Sequence, residues 1–169
     1  RAIDGTCSTP VYSNEVIVTV RPETDGGDIE EDMTICYGDD VPAFTSTTDA
    51  SGGSNSFTYT WFRTTNMAAV PGGPGWNQIN SSNSPVYDHG TLTQTTRFVR
   101  RAVDAACTDP VYSNVVTVTV RPQLSGGAIT AGQTICYGDD VAAFQSNAPA
   151  SGGGGSFTYT WQYTTDMTA

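Results

Sequence analysis

Residues 1–69 are written a second time, in register and without gaps, as residues 101–169. About 60% of the compared positions are identical, and the segment TICYGDDV at residues 34–41 returns unchanged at residues 134–141. A fixed period indicates stacked copies of one structural unit. A period of about 100 residues is the size of a β-sandwich domain. The chain is therefore predicted to be one part of an array of near-identical domains.

The end of each repeat is marked by an alternating β-branched segment followed by Arg-Pro. These segments are residues 15–20 and 115–120. Because proline cannot continue a central strand, Arg-Pro should close each domain. We place boundaries near residues 23 and 123, which gives the last hairpin of a preceding domain (1–22), a complete domain (23–122) and the first part of the next (123–169). The Gly-Gly pairs at residues 26–27 and 126–127 are expected to be hinge-like linkers.

The complete domain is predicted to be all-β. Val, Thr, Tyr and Phe dominate its apolar segments, and these residue types favour strands. Turn signals separate the segments at intervals of roughly ten residues, which is typical of a sandwich. The predicted strands are 28–37 (broken near Glu31-Asp32), 41–46, 56–64, 76–79, 86–87, 94–104 and 114–121, with a turn at 105–113.

The formal net charge is −10, and all seven basic residues are arginines. Such an acidic surface repels phosphate backbones and anionic lipid headgroups. Nucleic-acid binding is therefore excluded, and no apolar stretch is long enough to predict membrane insertion. Acidity combined with abundant Thr and Ser is typical of an extracellular stalk.

The cysteines also repeat, Cys7 with Cys107 and Cys36 with Cys136. A repeated pair in each domain without CxxC spacing indicates a disulfide rather than buried thiols or a metal site. Disulfides would place the protein in an oxidising, extracellular compartment.

Few residues suggest ligand chemistry. Asp39 and Asp40 are a weak calcium candidate, because paired carboxylates supply the oxygen ligands that calcium requires. The acidic residues near them at 28–32 are replaced at 128–132, which favours a solvated acidic turn instead. Trp76 either packs between strands or stacks on a sugar. His89, the single histidine, is expected in a surface turn, and residues 80–82 form a glycosylation sequon.

No catalytic arrangement can be built around His89, so the chain is predicted not to be an enzyme.

Several sequence signals follow one another in a fixed order: Ile35-Cys36-Tyr37-Gly38, Tyr59-Thr60-Trp61, Trp76 to Ile79, Tyr87, Leu92, residues 95–100, Cys107 and residues 113–120. This order resembles the immunoglobulin-like repeats of very large secreted proteins of the Bacteroidetes. Such repeats are found in surface adhesins, including gliding-motility adhesins exported by the type IX system, and as spacers in secreted enzymes. The resemblance covers the complete domain and both partial ones.

The resemblance implies tandem immunoglobulin-like β-sandwich domains with Trp61, Tyr59 and Phe98 in the core. Within one domain the expected disulfide is Cys36–Cys107, while Cys7 and Cys136 would pair with cysteines beyond the sequence. One alternative stays open. A strict immunoglobulin topology places Cys36 and Cys107 near opposite ends of the sandwich, and bonds between neighbouring domains would then result.

The predicted function is that of a non-catalytic structural segment in an adhesin stalk or filament at a bacterial cell surface, serving adhesion or gliding motility. Its expected partners are adjacent repeats, lateral copies in a filament, and a surface or glycan ligand of unknown identity. No cofactor is expected apart from the weak calcium candidate. The alternative is a carbohydrate-binding or spacer module of a secreted hydrolase. A third hypothesis is a subunit of a self-assembling filament.

Overall fold

The computed structural model describes residues 1–7, 9–79 and 83–166, and within these ranges every regular element is a β-strand. The sequon at residues 80–82 lies outside the described residues. The strands are β1 (Asp28–Ile29), β2 (Met33–Ile35), β3 (Asp40–Val41), β4 (Ser46–Thr48), β5 (Phe57–Thr64), β6 (Asn77–Gln78), β7 (Gly90–Thr91), β8 (Thr96–Asp104), β9 (Val111–Tyr112), β10 (Val116–Val120), β11 (Ala128–Ile129) and β12 (Ser146–Ala148).

One large sheet has the order β2-β10-β8-β5-β6, with β9 also paired to β8. Its centre is the antiparallel pair β5–β8, in which Phe57 lies opposite Asp104 and Thr64 lies opposite Arg97. The edge strand β2 runs parallel to β10, with Met33 opposite Val118. The alternation of Phe57, Tyr59 and Trp61 with threonines predicts β5, and the structure confirms that strand.

Three short stretches of chain form a second layer. β1 pairs with β4, β3 pairs with β7, and Phe44 forms an isolated bridge with Tyr87 in the same antiparallel register as β3–β7. The interior lies between this layer and the large sheet, an arrangement consistent with a β-sandwich. The buried cluster comprises Ile29, Val41, Phe44, Trp61, Leu92, Phe98, Val116 and Val118. We call residues 23–122, which contain this interior, the central unit.

The aromatic side chains give the interior its shape. Phe44 contacts Phe98 with ring centroids 4.9 Å apart, and it stacks on Trp61 at 6.0 Å. Trp61 is fully buried, and its indole N–H donates to the carbonyl of Ser84 at 3.1 Å. Trp61 and Phe98, both predicted to belong to the core, are fully buried. Tyr59 is only half-buried and lies at the edge of that interior.

The segment at residues 15–20 is the clearest departure from the predicted strands. In the central unit its counterpart β10 is enclosed between β2 and β8. Among the described residues, none pairs with residues 15–20. Residues 12–24 contain no strand, and Val16, Val18 and Val20 are exposed. The short strand β9 lies within the turn predicted at residues 105–113, and β7 lies between the predicted strands 86–87 and 94–104.

Candidate functional site

The junction between successive units is formed by two consecutive residues. The amide of Arg121 donates to the carbonyl of Ile35 in β2 at 2.9 Å, whereas the carbonyl of Pro122 accepts from the amide of Gly153 at 2.8 Å. The first bond belongs to the central unit and the second to residues 123–166, which we call the following unit. Because Arg121 and Pro122 are adjacent, no linker residue separates the central unit from the following unit.

The second of these bonds recurs one repeat earlier, where the amide of Gly53 donates to the carbonyl of Pro22 at 3.0 Å. A glycine beside each bond makes this geometry possible. Gly52 and Gly152 have φ angles of 86° and 88°, and a Cβ would lie 1.8 Å from the carbonyl oxygen of Glu23 in one case and 2.0 Å from that of Gln123 in the other. Only glycine fits such a close backbone approach. The junction is therefore encoded in both copies.

The Gly26-Gly27 pair is not a hinge, and that prediction was wrong. Both residues are buried in the central unit. A Cβ on Gly26 would lie 2.4 Å from the backbone of Tyr112, and one on Gly27 would lie 2.3 Å from the carbonyl of Thr48. These glycines allow backbones to approach closely, a role that sequence alone does not distinguish from flexibility.

Asp104 organises the leading end of the central unit, by which we mean the end nearest residue 23. Its buried carboxylate accepts the amides of Ser54, Ser56 and Cys107, the amide of Ala106 and the hydroxyl of Ser54, at 2.7–3.1 Å. Burial acts to raise the pKa of Asp104, but the bonds from Ser54, Cys107 and Ala106 outweigh it and hold the pKa well below its ordinary value.

Arg100 is the fully buried cation of the central unit. Its guanidinium donates to the carbonyls of Gly26 at 3.0 Å and Pro85 at 3.2 Å, and also to the hydroxyl of Ser46. It lies over the ring of Tyr59, 5.0 Å from the centroid. Burial lowers the pKa of Arg100. Arg100 thus ties the large sheet to the second layer, a role that the sequence analysis missed.

The predicted Cys36–Cys107 disulfide is absent, and both residues are free thiols. Cys36 follows β2 and lies beside Arg121, at the end of the unit nearest residue 122, which we call the trailing end. The amide of Cys107 instead donates to Asp104 at the leading end. The strand β8 separates these ends, and its eight intervals span about 26 Å at ~3.3 Å each. A disulfide requires Cα atoms within about 7 Å. Cys7 and Cys136 are also free, and pairing between neighbouring units stays a prediction.

Asp39 and Asp40 are both exposed: Asp39 follows the turn at residues 37–38, and Asp40 begins β3. The Asp39 carboxylate accepts the amide of Cys36 at 3.2 Å, and Asp139 repeats this bond with Cys136 at 3.3 Å. In the part of the chain that the structure describes, no three His, Cys, Asp or Glu side chains are grouped to hold a metal ion. The recurrence of this Asp is explained by the turn that it closes.

Trp76 is half-buried on the outer face of the large sheet. Its indole N–H donates to the carbonyl of Val70 at 2.9 Å, and the guanidinium of Arg97 lies 5.8 Å from its ring centroid. Arg97 also donates to the carbonyls of Met67 and Ala69. The tryptophan therefore fastens the loop at residues 66–76 to the sheet.

A polar pocket of about 360 Å³ lies near the trailing end, where β5 ends and β8 begins. Arg63 and His89 lie in its wall together with threonine hydroxyls and the amides of Asn77 and Gln94. His89 is half-buried rather than in a surface turn as predicted. Its ring contacts Phe98 edge-on, with centroids 5.0 Å apart, which explains why it is held inside.

A family model described as a domain of unknown function, DUF8696, matches residues 25–122. No curated protein matches the sequence. No helix in the described ranges has the length and apolar character needed to cross a bilayer.

Proposed function

This chain belongs to the DUF8696 family, and we propose that its units are the structural repeats of a stalk or filament at a bacterial cell surface. The units have no catalytic role. The central unit buries its own aromatic core. Repetition extends the array because each unit contacts only its neighbours. Adhesion or gliding motility is the purpose of the whole protein in this proposal.

The observation that carries the proposal is the junction. Because Arg121 is bonded to one unit and Pro122 to the next, bending is restricted to a single pair of residues. The same bond at Pro22 supports the view that successive junctions are alike. A row of units joined in this way resists bending, which is the property a stalk needs and a flexible spacer does not.

We further propose that each sandwich is of the immunoglobulin-like class. In antibody domains a disulfide joins the two sheets beside a core tryptophan. In the central unit Phe44 and Phe98 meet between the layers beside Trp61, and this aromatic contact takes the place of the disulfide. A crystal structure of residues 1–169 in which the strands are connected differently from those of immunoglobulin domains would exclude this class.

The stiffness of the junction can be tested with Gly152→Ala. The added Cβ would overlap the carbonyl of Gln123, so the bond from Gly153 to Pro122 should be lost. We expect residual dipolar couplings to show one common alignment for the two units in the parent chain and separate alignments in the variant. Gly126→Ala is the matched control, because a Cβ there meets nothing within 4 Å. Independent alignment in the parent chain would contradict a stiff junction.

The surface location needs a separate test. Antibodies raised against residues 23–122 should label intact cells of the source organism, and brief protease treatment of those cells should remove the label. An antibody against a cytoplasmic protein serves as the permeability control. Labelling that requires permeabilised cells would overturn the proposal.

A further inference from the structure

The pocket near the trailing end contains an arginine, Arg63, although the chain as a whole is strongly acidic. Arg63 is exposed, and within the described part of the chain its polar contact is with Nε2 of His89 at 3.3 Å. Among the described residues no carboxylate forms an ion pair with Arg63, although the chain has 17 acidic residues and a net charge of −10. A guanidinium without a carboxylate partner in a recess is suited to bind an anion from outside.

His89 holds this arginine in position. Its Nδ1 lies 3.0 Å from the hydroxyl of Tyr87, and its ring contacts Phe98. Burial and the charge of Arg63 lower the pKa of His89 by more than the charge of Asp88 raises it, so the imidazole is neutral near pH 7. A neutral ring can accept from Arg63 at Nε2 while donating to Tyr87 at Nδ1. Arg63 is therefore the one cation among the residues that line the pocket, and the nearest carboxylate that acts on His89 is that of Asp88.

The rest of the lining is rich in hydroxyl and amide groups. Threonines surround the mouth, among them Thr65, Thr91 and Thr93, while Asn77 and Gln94 supply amides. Groups of this kind pair with the hydroxyls of a sugar. The volume of about 360 Å³ is at the small end of the range for ligand pockets and suits one sugar ring rather than a polymer segment.

We propose that this pocket binds a carboxylate-bearing saccharide. The carboxylate pairs with the guanidinium of Arg63 in a two-pronged contact, and the ring hydroxyls bond the threonine and amide groups. A single cation in a strongly acidic chain favours a monoanion over a dianionic phosphate. The inference stands independently of the proposed stalk, since it rests on the lining of one unit alone.

The repeat provides a natural comparison. Tyr163 occupies the position of Arg63 in the following unit, whereas Thr164 and Thr165 retain the neighbouring threonines. Of the two copies of the repeat that include this position, the central unit has the arginine and the following unit does not. Arg63→Tyr introduces into the central unit the residue that the repeat already uses at this position.

The test is titration of the 169-residue chain with galacturonate, galactose and acetate, followed by amide chemical shifts. We expect galacturonate to shift the amides of His89, Thr91 and Gln94 and to bind at least tenfold more tightly than galactose or acetate. Arg63→Tyr should weaken galacturonate binding at least tenfold. Arg101→Gln is the control and should bind as the parent does, because Arg101 lies on the other face of the sheet, over Phe62.

Four results would overturn the proposal. Equal binding of galacturonate and galactose, or binding unaffected by Arg63→Tyr, would remove the role of the carboxylate. Acetate binding as tightly as galacturonate would remove the sugar and leave a simple carboxylate site. Absence of any shift at millimolar galacturonate in a folded parent chain would also contradict it. Unchanged spectra outside the pocket verify that Arg63→Tyr is folded.

Discussion

Trp61 and Arg100 lie directly opposite each other across β5 and β8, so the largest buried apolar side chain neighbours a fully buried guanidinium. The two side chains divide the interior between them. Trp61 packs on the aromatic cluster with Phe44 and Tyr87, whereas Arg100 reaches the carbonyls of Gly26 and Pro85. The aromatic cluster around Trp61 and the hydrogen bonds of Arg100 thus both hold the two layers of the central unit together.

Arg100→Leu should destabilise the central unit, although leucine is the more apolar residue. The substitution leaves the buried carbonyl of Gly26 without its donor, at a cost of about 1–3 kcal/mol. Urea unfolding followed by tryptophan fluorescence measures the loss. Arg101→Leu is the matched control and should change stability by less than about 0.5 kcal/mol, since Arg101 is not fully buried. A variant as stable as the parent would mean that the Arg100 bonds contribute nothing net.

Trp61→Ala should lower the free energy of unfolding by about 3–5 kcal/mol, because a fully buried aromatic side chain leaves a large cavity. The repeat supplies the control, Trp161→Ala. Trp161 is 66% exposed, and among the described residues it stacks on Phe144 alone, at 6.2 Å. Denaturant unfolding followed by far-ultraviolet circular dichroism should separate the two variants. Equal effects would show that the described core is not the cooperative unit.

The sequence predicts those features that depend on local alternation. It predicts β5, β8 and β10, and it places Trp61 and Phe98 inside. The same period of two in β8 puts Thr96, Phe98, Arg100, Ala102 and Asp104 on one face, so the inward direction of Arg100 and Asp104 was available from the pattern. We missed it because charged residues are rarely expected inside.

Features that depend on distant parts of the chain were not available from the sequence. A Gly-Gly pair is compatible with a hinge and with close packing, and only the position of Tyr112 distinguishes the two. The separation of Cys36 from Cys107 depends on the length of β8 and on which end each residue reaches. The pocket joins Arg63 of β5 to His89, 26 residues later in the chain, and no local pattern links them.

Asp104 should make the central unit sensitive to acid. Its pKa is depressed in the folded state, so its stabilising effect is fully present above the unfolded pKa of about 3.9. That effect is lost progressively as the pH falls below this value towards the folded pKa. Asp104→Asn should be less stable than the parent at pH 7, and the gap should narrow as the pH falls below about 4. Thermal unfolding between pH 7 and pH 2 measures both curves.

Asp39→Asn is the control for this pH series, because the Asp39 carboxylate is exposed and accepts one amide, that of Cys36. Its curve should run parallel to that of the parent. If the difference in stability between Asp104→Asn and the parent is constant from pH 7 to pH 2, the charge of Asp104 does not cause it. The loss would then come from the changed shape and hydrogen-bonding groups of the side chain.

Cys36→Ser should leave the stability of the central unit unchanged, with or without reductant, because the thiol is exposed and far from Cys107. A disulfide within the unit would close a loop of about 70 residues and contribute about 4 kcal/mol, which reductant or the substitution would remove. Urea unfolding of the parent and of Cys36→Ser, each with and without reductant, distinguishes the two cases. A non-reduced digest that contains a Cys36–Cys107 peptide, together with a loss of stability in the variant, would contradict the described separation of the two ends.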